Sequence, residues 1–152
     1  MNKVRLTWPT IISDCRALAF ACGLKAAPRW SAIVAVTRGG LIPAAILSER
    51  MGIKIVDTLC IQSYEAEGQQ SPNLVVLKMS AFSKESNLKC DDLLVVDDLV
   101  DSGETAKAVA KLLPGAHFAC LYAKPLGRPH ANTFIREYKQ EEWIVFPWEV
   151  EA

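Results

Sequence analysis

"LLVVDDLVDSGET", Leu93 to Thr105, decides the fold. Four consecutive aliphatic residues read as a short buried strand. Two adjacent carboxylates, Asp97 and Asp98, end the run, and a third, Asp101, follows just before Ser102-Gly103-Glu104-Thr105. From about Gly103 to Leu113 the spacing predicts a helix with Ala106, Val109, Ala110 and Leu113 on its apolar face, stopped by Pro114-Gly115.

The same order of strand, glycine turn and helix occurs upstream. "WSAIVAV", Trp30 to Val36, reads as a buried strand that runs through "TRGG", Thr37 to Gly40, into a helical "LIPAAILSERMG" ending at Gly52. "IKIVDTLCIQSY", Ile53 to Tyr64, reads as a long strand, and the polar "EAEGQQSPN" after it, with Gly68 and Pro72, reads as a loop. "LVVLKM" returns as a strand, "SAFSKESNLKCDD", Ser80 to Asp92, is a polar connection, and "AHFACLYA", Ala116 to Ala123, is a further strand. Near the N-terminus, Pro9 opens an amphipathic helix carrying Ile11, Ile12, Cys15, Leu18, Ala19 and Cys22, with Gly23 as its stop. Strands alternating with helices predict a parallel sheet covered on both faces, with ligands at the carboxyl ends of the strands. Both glycine turns fall at such ends. The stretch from about Lys124 onward, rich in Pro and Trp, is expected to be a less regular cap over the site.

Composition bounds the possibilities. A chain of 152 residues, 51% hydrophobic and 22% charged, suits one domain over residues 1–152 with one sizeable core. Lys and Arg number 17 against 17 Asp and Glu, so the basic excess of whole-surface nucleic-acid binding is lacking, and no nucleic-acid partner is expected. Cys15, Cys22, Cys60, Cys90 and Cys120 form no CxxC pair and sit mostly in apolar segments, as reduced core thiols do. Arg5, Asp14 and Arg16 interrupt the apolar residues near the N-terminus, so neither a signal peptide nor a membrane span of about 20 residues fits there. A cytoplasmic location is expected.

The turn from Asp101 to Thr105 has two readings. Ser102 and Thr105 carry hydroxyls, Gly103 permits a tight turn, and the following helix presents unpaired N–H groups, so the turn can hold a phosphate. Alternatively, Asp101 or Ser102 simply caps the helix. The acid pair weighs on the first side, because Asp97 and Asp98 repel each other at a strand end unless hydroxyls, a cation or solvent relieve them. A ligand with sugar hydroxyls and Mg²⁺ would do so; a solvated turn is the other reading.

"VVDDLVDSGET" resembles the phosphoribosyl pyrophosphate (PRPP) signature of the type I phosphoribosyltransferases, in which an apolar strand leads into two acids, a third acid and a phosphate loop. "AVTRGGLIPAAIL", "VDTLCIQSY", "HFACLYAKPLGRP" and "WIVFPWE" extend the likeness over nearly the whole chain, in order, to the bacterial xanthine-guanine phosphoribosyltransferases. The resemblance implies an α/β fold of the type I phosphoribosyltransferase class, a mainly parallel sheet flanked by helices, with a C-terminal hood formed mainly by about 124–152. It implies Mg²⁺-dependent transfer of phosphoribosyl from PRPP to a 6-oxopurine base (guanine, xanthine or hypoxanthine), giving the nucleoside 5′-monophosphate and pyrophosphate.

Residue by residue, the resemblance places the 5′-phosphate on Asp101, Ser102, Gly103, Glu104 and Thr105, and the ribose hydroxyls on Asp97 and Asp98, with Asp98 nearest the Mg²⁺. Asp101 also lies by the base and accepts or shares the N7 proton as N9 bonds to the sugar. Arg38 and Gly39 of "TRGG" meet the pyrophosphate, where a guanidinium fork suits phosphate oxygens; a surface salt bridge is the plainer role for Arg38. Lys124 donates to the 6-oxo group, Trp143 stacks on the purine, and backbone groups of Ile144 and Val145 meet its 2-position. A solvated lysine and a core tryptophan are the plainer alternatives.

Two departures stand out. Family members carry a Lys-Arg pair entering a mobile loop, whereas Lys78-Met79 stands here, leaving Lys78 or Lys84 to supply the charge. Relatives continue past the position of "PWEVEA" through a further hydrophobic segment; a homo-oligomer, dimer or tetramer, is expected nonetheless. Some relatives associate peripherally with membranes. A PRPP-sensing regulator with the same fold is the alternative function, and a phospho-accepting receiver domain a third, although it leaves the Ser-Gly-Glu-Thr and "TRGG" turns without purpose.

Overall fold

Uninterrupted runs of small and β-branched residues have no polar face to give to water, and two of them form the centre of the sheet. In the computed structural model, which describes residues 2–23, 30–64, 73–82 and 89–151, these are β2 (Ala32–Thr37) and β5 (Leu93–Val100). Around them lie β3 (Val56–Tyr64), β4 (Asn73–Lys78), β6 (His117–Ala123) and β7 (Arg136–Glu137), in the spatial order β4-β3-β2-β5-β6-β7. Every neighbouring pair is parallel except β3 with β4, which is antiparallel with a bulge at Cys60/Ile61. Residues 65–72 of the expected loop and 83–88 of the expected connection lie outside the described residues.

The two faces carry separate cores because strand side chains alternate. Helix α1 (Trp8–Ala21) and helix α2 (Leu41–Met51) cover one face, where Ile33, Ala35, Leu94 and Val96 pack with Ile11, Cys15, Leu18, Ala44 and Leu47. Helix α3 (Glu104–Leu112) lies against the other, where Val34, Val36, Leu93 and Val95 meet Ala106, Val109 and Leu113. Ala110, expected on the buried face of α3, points to solvent, since the helix presses only a narrow stripe onto the sheet. Thr7 caps α1, accepting from the Thr10 N–H at 3.3 Å. No disulfide joins any of the five cysteines; burial, then the nearby Asp14 charge, pushes Cys15 up to about 12. None of the helices among the described residues is long and apolar enough to cross a membrane.

The C-terminal segment is more tied down than its composition suggests. Strand β7 adds to the main sheet beside β6, and β8 (Trp143–Val145) pairs in parallel with β1 (Lys3–Arg5), an N-terminal strand that the sequence reading missed. A buried carboxylate fixes this arrangement from below. Asp14 of α1, 2% exposed, accepts from Tyr122 Oη at 2.8 Å and from Arg136 Nε and Nη2 at 3.0 to 3.1 Å. One acid therefore joins α1, β6 and β7 and satisfies a buried phenol. Asp14→Ala is expected to lower the unfolding free energy by about 2–3 kcal/mol in urea titration, because it leaves the Tyr122 hydroxyl buried without its acceptor. A loss below about 0.5 kcal/mol would contradict that assignment.

A second carboxylate locks the β3–β4 hairpin. Asp57 accepts from Lys78 Nζ at 3.0 Å, Ser80 Oγ at 2.7 Å and the Ala81 N–H at 2.6 Å. Burial alone would raise its pKa, but the donors from Ser80, Lys78 and the backbone outweigh it and draw the group down from 3.8 to about 2. A depressed acid contributes stability above its unfolded pKa and loses it as pH falls through the folded one, here between about 4 and 2. After allowance for the half-exposed lysine, the contribution is about 1–2 kcal/mol. Asp57→Asn should flatten the fall in unfolding free energy between pH 5 and pH 2 by that amount; the same pH dependence in variant and wild type would refute it.

Candidate active site

Alternation along β5 carries past its apolar part. Leu93 and Val95 face α3, Leu94 and Val96 face α1 and α2, and the two acids that follow part in the same way. Asp97, 8% exposed, lines a cavity of about 220 Å³ with Asp101 to Ala106, Ser63, Leu74 and Phe118. Asp98 lines a larger one of about 1040 Å³ on the other side with Arg38, Gly39, Trp143 and Glu149. The acids are nonetheless neighbours: Asp97 Oδ1 accepts from the Asp98 N–H at 2.9 Å, and Asp98 Oδ1 from the Leu99 N–H at 2.7 Å. Burial, followed by the adjacent Asp98 charge, pushes Asp97 well above the usual carboxylate range, and burial likewise raises Asp98. Such a pair is held in readiness for a cation, hydroxyls or both.

The turn after β5 wraps the smaller cavity. Gly103, at φ 89°, is the N-cap of α3 and offers no side chain to its first turn. A Cβ there would stand 2.4 Å from His130 Cδ2, so the turn needs glycine for both its backbone and its packing. Ser102 Oγ accepts only a long 3.4 Å bond from the Glu104 N–H, and Glu104 pairs with Lys107 at 2.8 Å. The carboxylate of Asp101 makes no capping bond to the helix and is held by Lys124 and Gln140 instead. Capping thus leaves Asp101 unexplained, and the helix N-terminus faces a cavity large enough for a tetrahedral anion.

The second glycine turn faces the larger cavity. Thr37 ends β2, the Thr37–Arg38 peptide is cis, and Gly40 is the N-cap of α2. Gly39 presses directly on Asp98, since a Cβ on it would lie 2.3 Å from Asp98 Oδ2. Arg38 is exposed, and no acid among the described residues lies within ion-pair distance of it, so a surface salt bridge does not account for it. Trp143 lines the same cavity at 53% exposure rather than packing in a core.

Lys124 is not a solvated lysine. Its side chain is 6% exposed, and Nζ donates to Asp101 Oδ2 at 2.9 Å. Asp101 Oδ1 accepts from Gln140 Nε2 at 2.7 Å, a contact that no motif announced. Ile144 is buried. Trp143 N–H donates to the Asn2 carbonyl and the Val145 carbonyl accepts from the Leu6 N–H, so strand alternation turns the Ile144 backbone groups toward the other edge of β8. Val145 lines the larger cavity beside Trp143 but spends its carbonyl on β1, whereas Ile144 lines neither cavity. Lys78 is placed apart from the rest: it lines neither cavity, and its ammonium is held by Asp57 and, at 2.7 Å, by the Thr58 carbonyl. Lys84 lies outside the described residues.

As for a divalent cation, Asp98 offers carboxylate oxygens of the kind a hard ion takes, and no cluster of three His, Cys, Asp or Glu occurs among the described residues. That donor set suits Mg²⁺, which binds through one or two carboxylates and completes its shell with substrate oxygens and water.

Comparison with known proteins places the fold. The chain is similar to the purine phosphoribosyltransferase of Pyrococcus horikoshii Ot3, with 27% identity, a TM-score of 0.81 and coverage of 100% of this chain and 97% of that one. It is similar to the xanthine-guanine-hypoxanthine phosphoribosyltransferase of Helicobacter pylori, with 28% identity, a TM-score of 0.77 and coverage of 98% and 95%. A protein of Neisseria gonorrhoeae solved with bound ppGpp shares the fold at 22% identity, a TM-score of 0.74 and coverage of 98% and 90%. The family described as phosphoribosyl transferase domain matches residues 6–152, so a mainly parallel sheet with two glycine turns at its carboxyl edge and a split acid pair between them belongs to a member of the phosphoribosyltransferase family.

Proposed function

We propose that the protein is a purine-salvage enzyme, transferring phosphoribosyl from PRPP to a 6-oxopurine with release of pyrophosphate. The carrying observation is the pairing of buried Lys124 with Asp101, a cation and a carboxylate fixed side by side at the mouth of the phosphate-sized turn. A 6-oxopurine offers a carbonyl oxygen to the first and an imidazole N–H to the second; adenine presents an amino group to the ammonium and is refused.

In this reading Asp101 to Thr105 hold the 5′-phosphate, and Asp97 and Asp98 meet the ribose hydroxyls from opposite faces of β5. Asp98 would hold Mg²⁺, which when bound neutralises diphosphate charge. Arg38 receives the departing pyrophosphate, and Trp143 gives the base a flat apolar surface, with the backbone groups of Ile144 that β1 leaves unused offered to its 2-position. The N9–C1′ bond forms as the C1′–O bond to pyrophosphate breaks, and Asp101 takes the N7 proton. With Lys78 engaged by Asp57, the pyrophosphate site rests, among the described residues named for it, on Arg38 and Gly39. The protein would work in the cytoplasm as a homo-oligomer.

The test is incubation with PRPP, Mg²⁺ and each purine in turn, reading nucleotide and pyrophosphate. Turnover of guanine, xanthine or hypoxanthine with none of adenine is expected; PRPP binding without any nucleotide would favour the regulator instead. Asp101→Asn should lower kcat by about 100-fold to 10,000-fold with PRPP binding retained, and an unchanged kcat would remove Asp101 from the chemistry. Gly39→Ala, whose Cβ must displace the Asp98 carboxylate, should cut kcat/KM for PRPP by about 100-fold. A loss confined to KM for the base would mean that Gly39 and Asp98 serve the purine rather than PRPP.

A further inference from the structure

Gln140 lies three residues before Trp143 in "YKQEEW", outside every motif, yet its amide bridges two parts of the site. Nε2 donates to Asp101 Oδ1 at 2.7 Å, and Oε1 accepts from the Leu126 N–H at 3.0 Å. These partners fix the amide's orientation, because a flip would set oxygen against carboxylate and NH₂ against N–H. The backbone carbonyl of Gln140 also takes a long 3.4 Å bond from Lys124 Nζ, the group that holds the other oxygen of Asp101 at 2.9 Å.

Asp101 is half-exposed on a turn, and Lys124 alone would grip it by one oxygen, about which the carboxylate could still swing. A second donor on the opposite oxygen stops that motion. A glutamate there would set a like charge against Asp101, and both residues that follow, Glu141 and Glu142, are acids; the neutral amide stands at the position that meets the carboxylate.

We infer that Gln140 is a positioning residue for the transfer reaction: it holds the plane of the Asp101 carboxylate against Lys124, so that a remaining lone pair meets the imidazole edge of the base. The inference rests on Asp101 as proton acceptor. Its reach extends to the hood, since Gln140 ties the Leu126 turn and the approach to β8 to the phosphate loop through one side chain.

A double-mutant cycle with a structural arm tests it. Gln140→Glu keeps an acceptor for Leu126 and loses the donor to Asp101; Gln140→Leu loses both. Each should lower kcat with PRPP and guanine by about tenfold to 100-fold while KM for PRPP stays within about twofold. In an Asp101→Asn background the same changes should cost less than about twofold, since the carboxylate they orient is gone. Equal losses in both backgrounds, or no loss in either, would overturn the inference. Crystals of the wild-type protein and of Gln140→Leu decide the positioning apart from turnover: the Asp101 carboxylate should rotate about its retained Lys124 contact in the variant, and an unmoved carboxylate refutes the role. An unchanged kcat in Asp101→Asn alone would instead refute the reading of Asp101 as proton acceptor, with the crystals still deciding what Gln140 does.

Discussion

A strand covered on both faces must send its last side chains to opposite sides, and the site depends on that constraint. In β5 the residues from Leu93 to Val96 are wholly buried, which fixes the register and leaves no freedom in where Asp97 and Asp98 point. Both carboxylates stay in low-dielectric surroundings, each accepting one backbone N–H, and both are pushed toward the neutral form. A fold that retains such a pair stores an affinity for whatever relieves it. The two glycine turns are placed to present that relief: Gly39 lets the β2 turn touch Asp98, and Gly103 lets the β5 turn close around the smaller cavity.

The hood follows from two anchors rather than from its own core. Pairing of β8 with β1 ties the end of the chain to its beginning, and Asp14 pins β7 through Arg136 while holding Tyr122 of β6. Between these anchors the chain passes Asp101, with Gln140 in contact and Trp143 over the larger cavity. Aromatic packing of Phe146 on Trp148, with ring centroids 4.7 Å apart, continues the anchorage beyond β8.

Local pattern made the central part legible. The runs around Ala32 to Val36 and Leu93 to Val96, and the helical spacing after Pro9, Gly40 and Gly103, gave strands and helices within a few residues of those observed, because burial on both faces leaves a strong signal. The motif around Asp97 to Thr105 announced itself for the same reason: acids and glycine at the end of an apolar strand are costly without a ligand. What stayed hidden depends on contacts distant in sequence. Strands β1 and β8 have three residues each and meet across the whole chain, and β7 has two, too few for a period to emerge. Nothing local marks Lys78 as the partner of Asp57, and Gln140 carries no signal of its own, only a place in space. The single hint was a neutral residue ahead of two acids.

The central claim is that one ligand spans both faces of β5, its 5′-phosphate on the α3 side and its pyrophosphate and base toward the Arg38 and Trp143 side. A crystal structure with guanosine 5′-monophosphate, pyrophosphate and Mg²⁺ tests it most directly. The account predicts the phosphate within hydrogen-bond distance of the backbone N–H groups of Gly103 to Thr105, pyrophosphate at Arg38, and guanine between Lys124 and Trp143. A nucleotide phosphate seated at Arg38, with the turn from Asp101 to Thr105 empty, would contradict it.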